Sequence, residues 1–297
     1  METMTDLPAR ASRQITPDLA RRAAVLAERW APIRCPSALH GHDCSWYHAA
    51  WPMLRALGVV QGVDGDAAFF RDAFAVAARS NDRVLVTAAA DHAIVAILLD
   101  AYRLQGMEPQ ITVVDQCLTA LALNRWYGRW QGIPVTTTPA DIIEFSPGVR
   151  FDLITTHSIL SFIPAPLRPK LYTNWRSLLN PGGRLVISQA VRPDARAGDA
   201  RAFTQAEVDA FVTRAMERAA SMGIGLSRST IEALARRFAS HKTALVVNSA
   251  DAIVSGLREA GFDILLLEQH RREPHYASAS PDTPDAILNT RIVARAE

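Results

Sequence analysis

The sequence predicts an α/β protein: a seven-stranded, mostly parallel sheet with an antiparallel last strand, plus a helical N-terminal segment and a helical insert. Three observations predict it. From about residue 83 to 190, short β-rich runs alternate with helical stretches, the mark of βαβ units whose sheet is covered on both faces. Before residue 80, apolar residues recur at helical spacing and strand signal is sparse. After about residue 245, one more helix leads into two final strands separated by the polar, proline-bearing stretch RREPHYASASPDTPDA.

The elements follow in order. DLARRAAVLAERW, SWYHAAWPMLRALGVV and DAAFFRDAFAVAARS read as helices separated by polar, glycine-bearing breaks. RVLVT is the first strand, followed by a helix from Asp91 to Leu104, then ITVVD and a helix from Leu118 to Trp130. IPVTTT, FDLITT, a helix near Leu167 to Leu179 and GRLVISQA complete the parallel set. Residues 195–245 are Ala- and Arg-rich with helical patterning, SADAIVSGLREAG is a helix stopped at Gly261, and FDILLLEQ and ILNTRIVARAE are the last strands. The expected division is a helical cap over 1–80 and a sheet domain over 81–297 carrying the insert 195–245, which would lie above the carboxyl ends of the strands, where open α/β sheets bind ligands.

Composition narrows the function. With 297 residues, 49% of them hydrophobic, the chain can bury a large core. Its 32 basic and 30 acidic residues are intermixed, for a net charge of +2, so no field gathers phosphate backbones and nucleic acid is not the expected partner. The longest apolar run, AIVAILLDAY, is too short to cross a membrane, and the N-terminus has no signal-peptide core, so a soluble, cytoplasmic protein is expected. Cys35, Cys44 and Cys117 are too few and scattered for a disulfide framework and read as reduced thiols.

The stretch RVLVTAAADHAI occupies the place where an α/β protein sets a glycine-rich loop against a ligand, yet it contains no glycine. Ala88, Ala89 and Ala90 allow close approach by smallness, and because a positive φ at alanine is strained, ordinary torsions are expected. A bulky residue at Ala88 or Ala90 would close the space. Taken singly, the triplet reads first as plain strand-to-helix packing. Asp115 ends the second strand 27 residues beyond Ala88, placed either to accept hydrogen bonds from ribose hydroxyls or to cap the next helix. Ala140 and Asp141 follow the third strand, where the carboxylate could take an exocyclic amine or cap a short helix before Phe145. Thr156 and His157 stand at the carboxyl edge after the fourth strand, His157 reading as a base, a substrate-orienting group or a structural histidine.

Taken together, VLVTAAADHAI, TVVD, PADI, FDLITTHSIL and LLNPGGRLVIS resemble, in order and spacing, the successive motifs of class I S-adenosylmethionine-dependent methyltransferases. The likeness covers residues 83–190, and the Pro-Gly-Gly turn before the fifth strand is its most specific element. It implies a Rossmann-like sheet and S-adenosylmethionine as cofactor. Ala88 to Ala90 would border the methionine and ribose, Asp115 with Gln116 the ribose, and Ala140 and Asp141 the adenine. Thr156 and His157 would floor the sulfonium. The first motif departs from the family, which has an acid in the strand and glycines after it, where this chain has Val86, Ala88, Ala90 and His92. Asp91 either replaces part of that acid's work at the methionine amine or caps the helix. S-adenosylmethionine has no pyrophosphate to cradle, so the loop needs room more than a nest of amides.

CPSALHGHDCSWYHAAW crowds two cysteines and three histidines together, but a nine-residue Cys35–Cys44 separation with no second pair matches no common zinc pattern, and no metal is expected. The more economical reading is an aromatic lid of Trp46, Tyr47, His48 and Trp51, excluding water and facing the sulfonium, with helix packing as the alternative for Trp46 and Trp51. His157, His48 and Tyr47 are the catalytic candidates. Phe203, Phe211, Met216 and Met222 of the insert would form the other wall or simply its core.

Methyl transfer to a small molecule is thus the expected function, needing alignment, a dry site and at most one base. Two others compete: closure of S-adenosylmethionine on itself with release of methylthioadenosine, as in azetidine-2-carboxylate synthesis, and a non-catalytic protein that has lost the ligand.

Overall fold

The computed structural model describes residues 17–35, 43–196, 199–271 and 287–297. The N-terminal helices are α1 (Pro17–Arg34), α2 (Ser45–His48), α3 (Trp51–Ala56) and α4 (Ala67–Ala77). Then come β1 (Arg83–Thr87), α5 (Ala93–Leu104), β2 (Gln110–Asp115), α6 (Leu118–Gln131), β3 (Val135–Pro139), β4 (Phe151–His157), α7 (Arg168–Leu178) and β5 (Leu179–Val191). The insert holds β6 (Ala200–Arg201), α8 (Gln205–Met222), α9 (Arg228–His241) and β7 (Ala244–Leu245), and α10 (Ala250–Glu259), β8 (Phe262–Arg271) and β9 (Leu288–Ala296) close the chain.

The sheet has seven strands in the order β3-β2-β1-β4-β5-β9-β8. β1 to β5 pair in parallel, and β9 runs antiparallel between β5 and β8. The expected architecture is therefore present. Val84, Leu85 and Val86 of β1 are fully buried, as a central strand covered on both faces requires. α5 is buried nearly all round, lying between the sheet and α4. α6 ends at Gly132 (φ +73) and the turn after α10 turns through Gly261 (φ +87), both in the left-handed region where glycine carries no Cβ penalty.

Two features depart from the periodicity. α4 packs onto α5 and β5, so its Phe69, Phe70 and Phe74 belong to the sheet's own core. In the insert, β6 and β7 form a two-residue antiparallel pair, too short to leave an alternating pattern in sequence. α8 and α9 pack on each other and, with Met53 and Leu54 of α3 and Leu57 just after it, make a second core that joins the N-terminal helices to the insert. Thr204 and Glu207 form a reciprocal capping box at the start of α8. Among the described residues, no helix is long and apolar enough to cross a membrane.

Candidate functional site

A cavity of about 650 Å³ lies over the carboxyl ends of β1, β2 and β4, between the sheet, the N-terminal helices and the insert. Its floor begins at the β1–α5 loop, where Ala88, Ala89 and Ala90 all reach the cavity wall. The expectation of ordinary torsions there is wrong: Ala88 sits at φ +52. The tight turn out of β1 demands a left-handed residue, and the Ala88 N–H is fixed on the Val114 carbonyl at 3.0 Å, so alanine adopts what glycine would adopt freely. Ser158, just after β4, is likewise left-handed at φ +59, its N–H on the Ser188 carbonyl at 2.8 Å. Two strained turns thus border one cavity, where strain tends to gather.

Asp91 accepts from Arg55 Nε at 2.7 Å through Oδ2 and from the Ala93 N–H at 2.8 Å through Oδ1. Burial alone would raise its carboxyl, but the Arg55 charge outweighs that and holds it below the usual range. Arg55 also binds Asp64, while its Nη2 is buried without a partner. Thr87 Oγ1 is a second buried, unpartnered polar atom of a cavity-lining residue. Neither Arg55 nor Thr87 was foreseen, because an arginine in a short helix and a threonine ending a strand carry no motif.

Asp115, Gln116, Ala140 and Asp141 all line the cavity. Asp115 Oδ1 accepts the Cys117 N–H at 2.7 Å, and the described residues give Oδ2 no hydrogen bond. Enclosure by the walls pushes its carboxyl up to about 6 against the pull of His48. Asp141 Oδ1 accepts the Ile143 N–H at 2.9 Å, capping a turn rather than the short helix expected there. Thr156 is not among the lining residues: its hydroxyl is buried and donates to the Thr87 carbonyl at 2.9 Å, tying β4 to β1. His92 also stays out of the cavity, stacked on Tyr127 at 5.0 Å and edge-on to Trp126 at 5.7 Å.

His157 lines the cavity with Nε2 3.5 Å from Asp66 Oδ2. Asp66, from the turn before α4, is buried and also accepts from Ser188 Oγ at 2.7 Å and Arg291 Nε at 2.7 Å. Although burial opposes it, this company holds the Asp66 carboxyl well below its ordinary range. In sequence Asp66 reads only as the first residue of the helix DAAFFRDAFAVAARS, which gives no sign that it is the carboxylate partner of His157.

The roof is aromatic. Tyr47 stacks on Trp51 at 5.2 Å and meets Phe162 edge-on at 6.1 Å, and Trp46, Phe203 and Phe211 complete the wall. Met216 and Met222 pack around the α3–α8–α9 core and do not line this cavity. Burial, with Asp91 and Asp115 nearby, raises the Tyr47 phenol far above its ordinary value, so it can donate a hydrogen bond but not act as a phenolate.

His48 also reaches the cavity wall, but its ring lies among thiols. The donor atoms of Cys35, Cys44, His48 and Cys117 all lie within 4.8 Å of one another, and all four residues are buried. Hydrogen bonds from Cys35 and Cys44, then the His48 charge, favour the thiolate of Cys117. The sequence hid this cluster because Cys117 belongs to the β2–α6 loop, far along the chain from Cys44. His40 and His42, the other histidines of that stretch, lie outside the described residues.

The architecture also matches solved structures. The [4+2]-cyclase SpnF is similar over 93% of this chain and 96% of its own, at 15% identity and a TM-score of 0.54. A Galdieria sulphuraria protein described as a candidate sarcosine dimethylglycine methyltransferase is similar over 78% of this chain and 85% of its own, at 12% identity and a TM-score of 0.50. The chain has the class I S-adenosylmethionine-dependent methyltransferase fold. The N-methyltransferase NodS from Bradyrhizobium japonicum WM9, in complex with S-adenosylhomocysteine, aligns over 92% of this chain and 98% of its own, at 15% identity and a TM-score of 0.48. No family model matches the sequence, and no curated protein matches it.

Proposed function

We propose that the protein is an S-adenosylmethionine-dependent enzyme that transfers a methyl group to a small-molecule acceptor. The observation that carries this reading is one cavity of a methyltransferase fold where Asp115 Oδ2, half-buried on the wall, is given no hydrogen bond by the described residues, and Arg55 Nη2 and Thr87 Oγ1 of lining residues are buried without partners. Buried polar groups without partners are costly, and a ligand bearing complementary groups relieves that cost. S-adenosylmethionine fits them: Asp115 would accept from the ribose hydroxyls, Asp141 from the adenine amine, and Arg55 would meet the methionine carboxylate. The cavity volume falls inside the roughly 300–1,000 Å³ of small-molecule sites.

When bound, the cofactor supplies an electrophilic methyl group on a cationic sulfur. The chain supplies the rest. Tyr47, Trp51 and Phe162 offer ring faces to a cation and keep water out. His157, oriented by Asp66, is the base that takes a proton from an oxygen or nitrogen acceptor. Tyr47 acts as a hydrogen-bond donor. Residues 44–63 of the N-terminal region and Phe203, Phe211 and Lys242 to Val247 of the insert side roof the cavity and hold the acceptor against the cofactor.

A second reading, intramolecular closure of the ligand with release of methylthioadenosine, is favoured by one observation. Val86 stands where the family has an acid, and Asp91 is already committed to Arg55, so the first motif holds no free carboxylate for an ammonium group. An ammonium group with no carboxylate partner gives up its proton more readily, and the free amine is then a nucleophile. Product analysis separates the readings: S-adenosylhomocysteine formed only with an acceptor supports transfer, and methylthioadenosine formed without one supports closure. Absence of binding heat at millimolar S-adenosylmethionine removes both and leaves a non-catalytic protein.

A further inference from the structure

We infer that Cys35, Cys44, Cys117 and His48 form a structural zinc site that pins the N-terminal helices to the β2–α6 loop. Cys35 follows α1, Cys44 precedes and His48 ends α2, and Cys117 precedes α6, so four donors from three segments meet at one buried point. Cys35 Sγ lies 3.4 Å from Cys117 Sγ and 3.1 Å from the Thr119 hydroxyl, and Cys44 Sγ lies 3.8 Å from the Cys35 carbonyl. His48 is 8% exposed, and its Nδ1 has no hydrogen-bond partner.

Thiols are weak hydrogen-bonding groups, so three of them around an imidazole gain little from one another. A soft divalent cation changes that. Zinc binds thiolate sulfur at about 2.3 Å and imidazole nitrogen at about 2.0–2.1 Å, and a tetrahedron of such bonds spaces its donors by about 3.4–3.8 Å. The present donors, all within 4.8 Å, reach that spacing with side-chain shifts of about 1 Å. Three sulfurs and one nitrogen select zinc over magnesium or calcium, which take oxygen ligands. Four protein ligands in a buried position leave no open place for water, the mark of a structural rather than catalytic metal. The Thr119 hydroxyl beside Cys35 supplies a hydrogen bond to a ligand sulfur, as outer-shell groups of metal sites do. This site does not depend on which ligand fills the cavity.

The test is elemental analysis of the full-length protein purified under reducing conditions from zinc-sufficient cells, with about one zinc per chain expected. Replacement by cobalt(II) should give thiolate-to-cobalt charge-transfer absorption and the intense visible bands of tetrahedral cobalt. C117S should lose more than about 100-fold in metal affinity. Should C117S fail to fold, the wild type still decides: titrating its thiols with a mercurial reagent must release zinc in proportion to thiols modified. A natively folded protein with three reduced thiols, no zinc and no cobalt absorption overturns the site, as does a Cys35–Cys117 disulfide found by non-reducing mass spectrometry.

Discussion

Asp66 Oδ2 lies 3.5 Å from His157 Nε2, and the same carboxylate binds Ser188 and Arg291, so one buried acid from the turn before α4 joins β4, β5 and β9. Its removal should act on both stability and chemistry. Asp66→Asn keeps the shape but strips the charge facing Arg291, and should cost about 2–4 kcal/mol in urea denaturation. The sign of the pH effect follows from the depressed carboxyl: its contribution is complete above the unfolded value near pH 4 and is lost as pH falls through the folded one. The gap between wild type and Asp66→Asn should therefore narrow below about pH 4. A gap constant down to pH 2 would rule out the assignment.

Asp115 lends itself to a separation of fold from binding. Asp115→Asn retains an oxygen for the Cys117 N–H but replaces the second acceptor with an amide donor. The variant should fold, with S-adenosylmethionine binding weakened by about 10- to 100-fold in calorimetry, the loss of a charge-assisted hydrogen bond pair. Unchanged affinity would show that the ribose lies elsewhere.

Much of this architecture was legible because its elements write strong patterns. Val84 to Val86 form a continuous apolar run and read as a central strand, and the run Ala93 to Leu99 reads as a helix buried all round. Ala88 to Ala90, Asp115, Asp141 and His157 line the cavity as their places at strand ends and the resemblance of their motifs together imply, since strand ends in a parallel sheet share one rim. What stayed hidden depended on distance in sequence or on torsion. Asp66 meets Arg291 from the far end of the chain, Cys117 meets Cys35 across several elements, and the left-handed Ala88 breaks the preference on which its reading rested. Thr156 was misplaced because strand alternation was not resolved at the last residues of β4, where one side chain points into the sheet packing and the next reaches the rim.

Ala88 offers a test of stored backbone strain. At φ +52 an alanine carries about 1–2 kcal/mol of left-handed strain, and glycine removes it while adding about 0.5–1 kcal/mol of unfolded-state entropy. Ala88→Gly should thus raise stability by about 0.5–1 kcal/mol with ligand affinity retained. Ala88→Val should do the reverse on both counts: a β-branched residue is worse in this torsion, and its methyls enter the cavity. Thermal melts and calorimetry on the pair check both. Destabilisation by glycine would mean that the torsion is not maintained in solution.

His92 supplies the last prediction, because a fully buried imidazole with neither nitrogen partnered must fold neutral. Burial is the largest cause, opposed by Asp91 and reinforced by Arg55, and it pushes the ring down to about 4. In the unfolded chain the ring titrates near 6.5, so the unfolded state takes up a proton first as pH falls. Stability should then be lost between about pH 6.5 and pH 4, by an amount on the order of 3 kcal/mol, with no contribution to the slope above that window. His92→Phe keeps the ring stacked on Tyr127 and edge-on to Trp126, removes two unsatisfied nitrogens and cannot titrate. It should be at least about 1 kcal/mol more stable at pH 7, with a flatter profile toward acid. Denaturant midpoints at pH 5 and pH 7 decide the matter, since an identical slope in both proteins would mean that the His92 ring titrates alike in the folded and unfolded chain and that its burial does not exclude the charge.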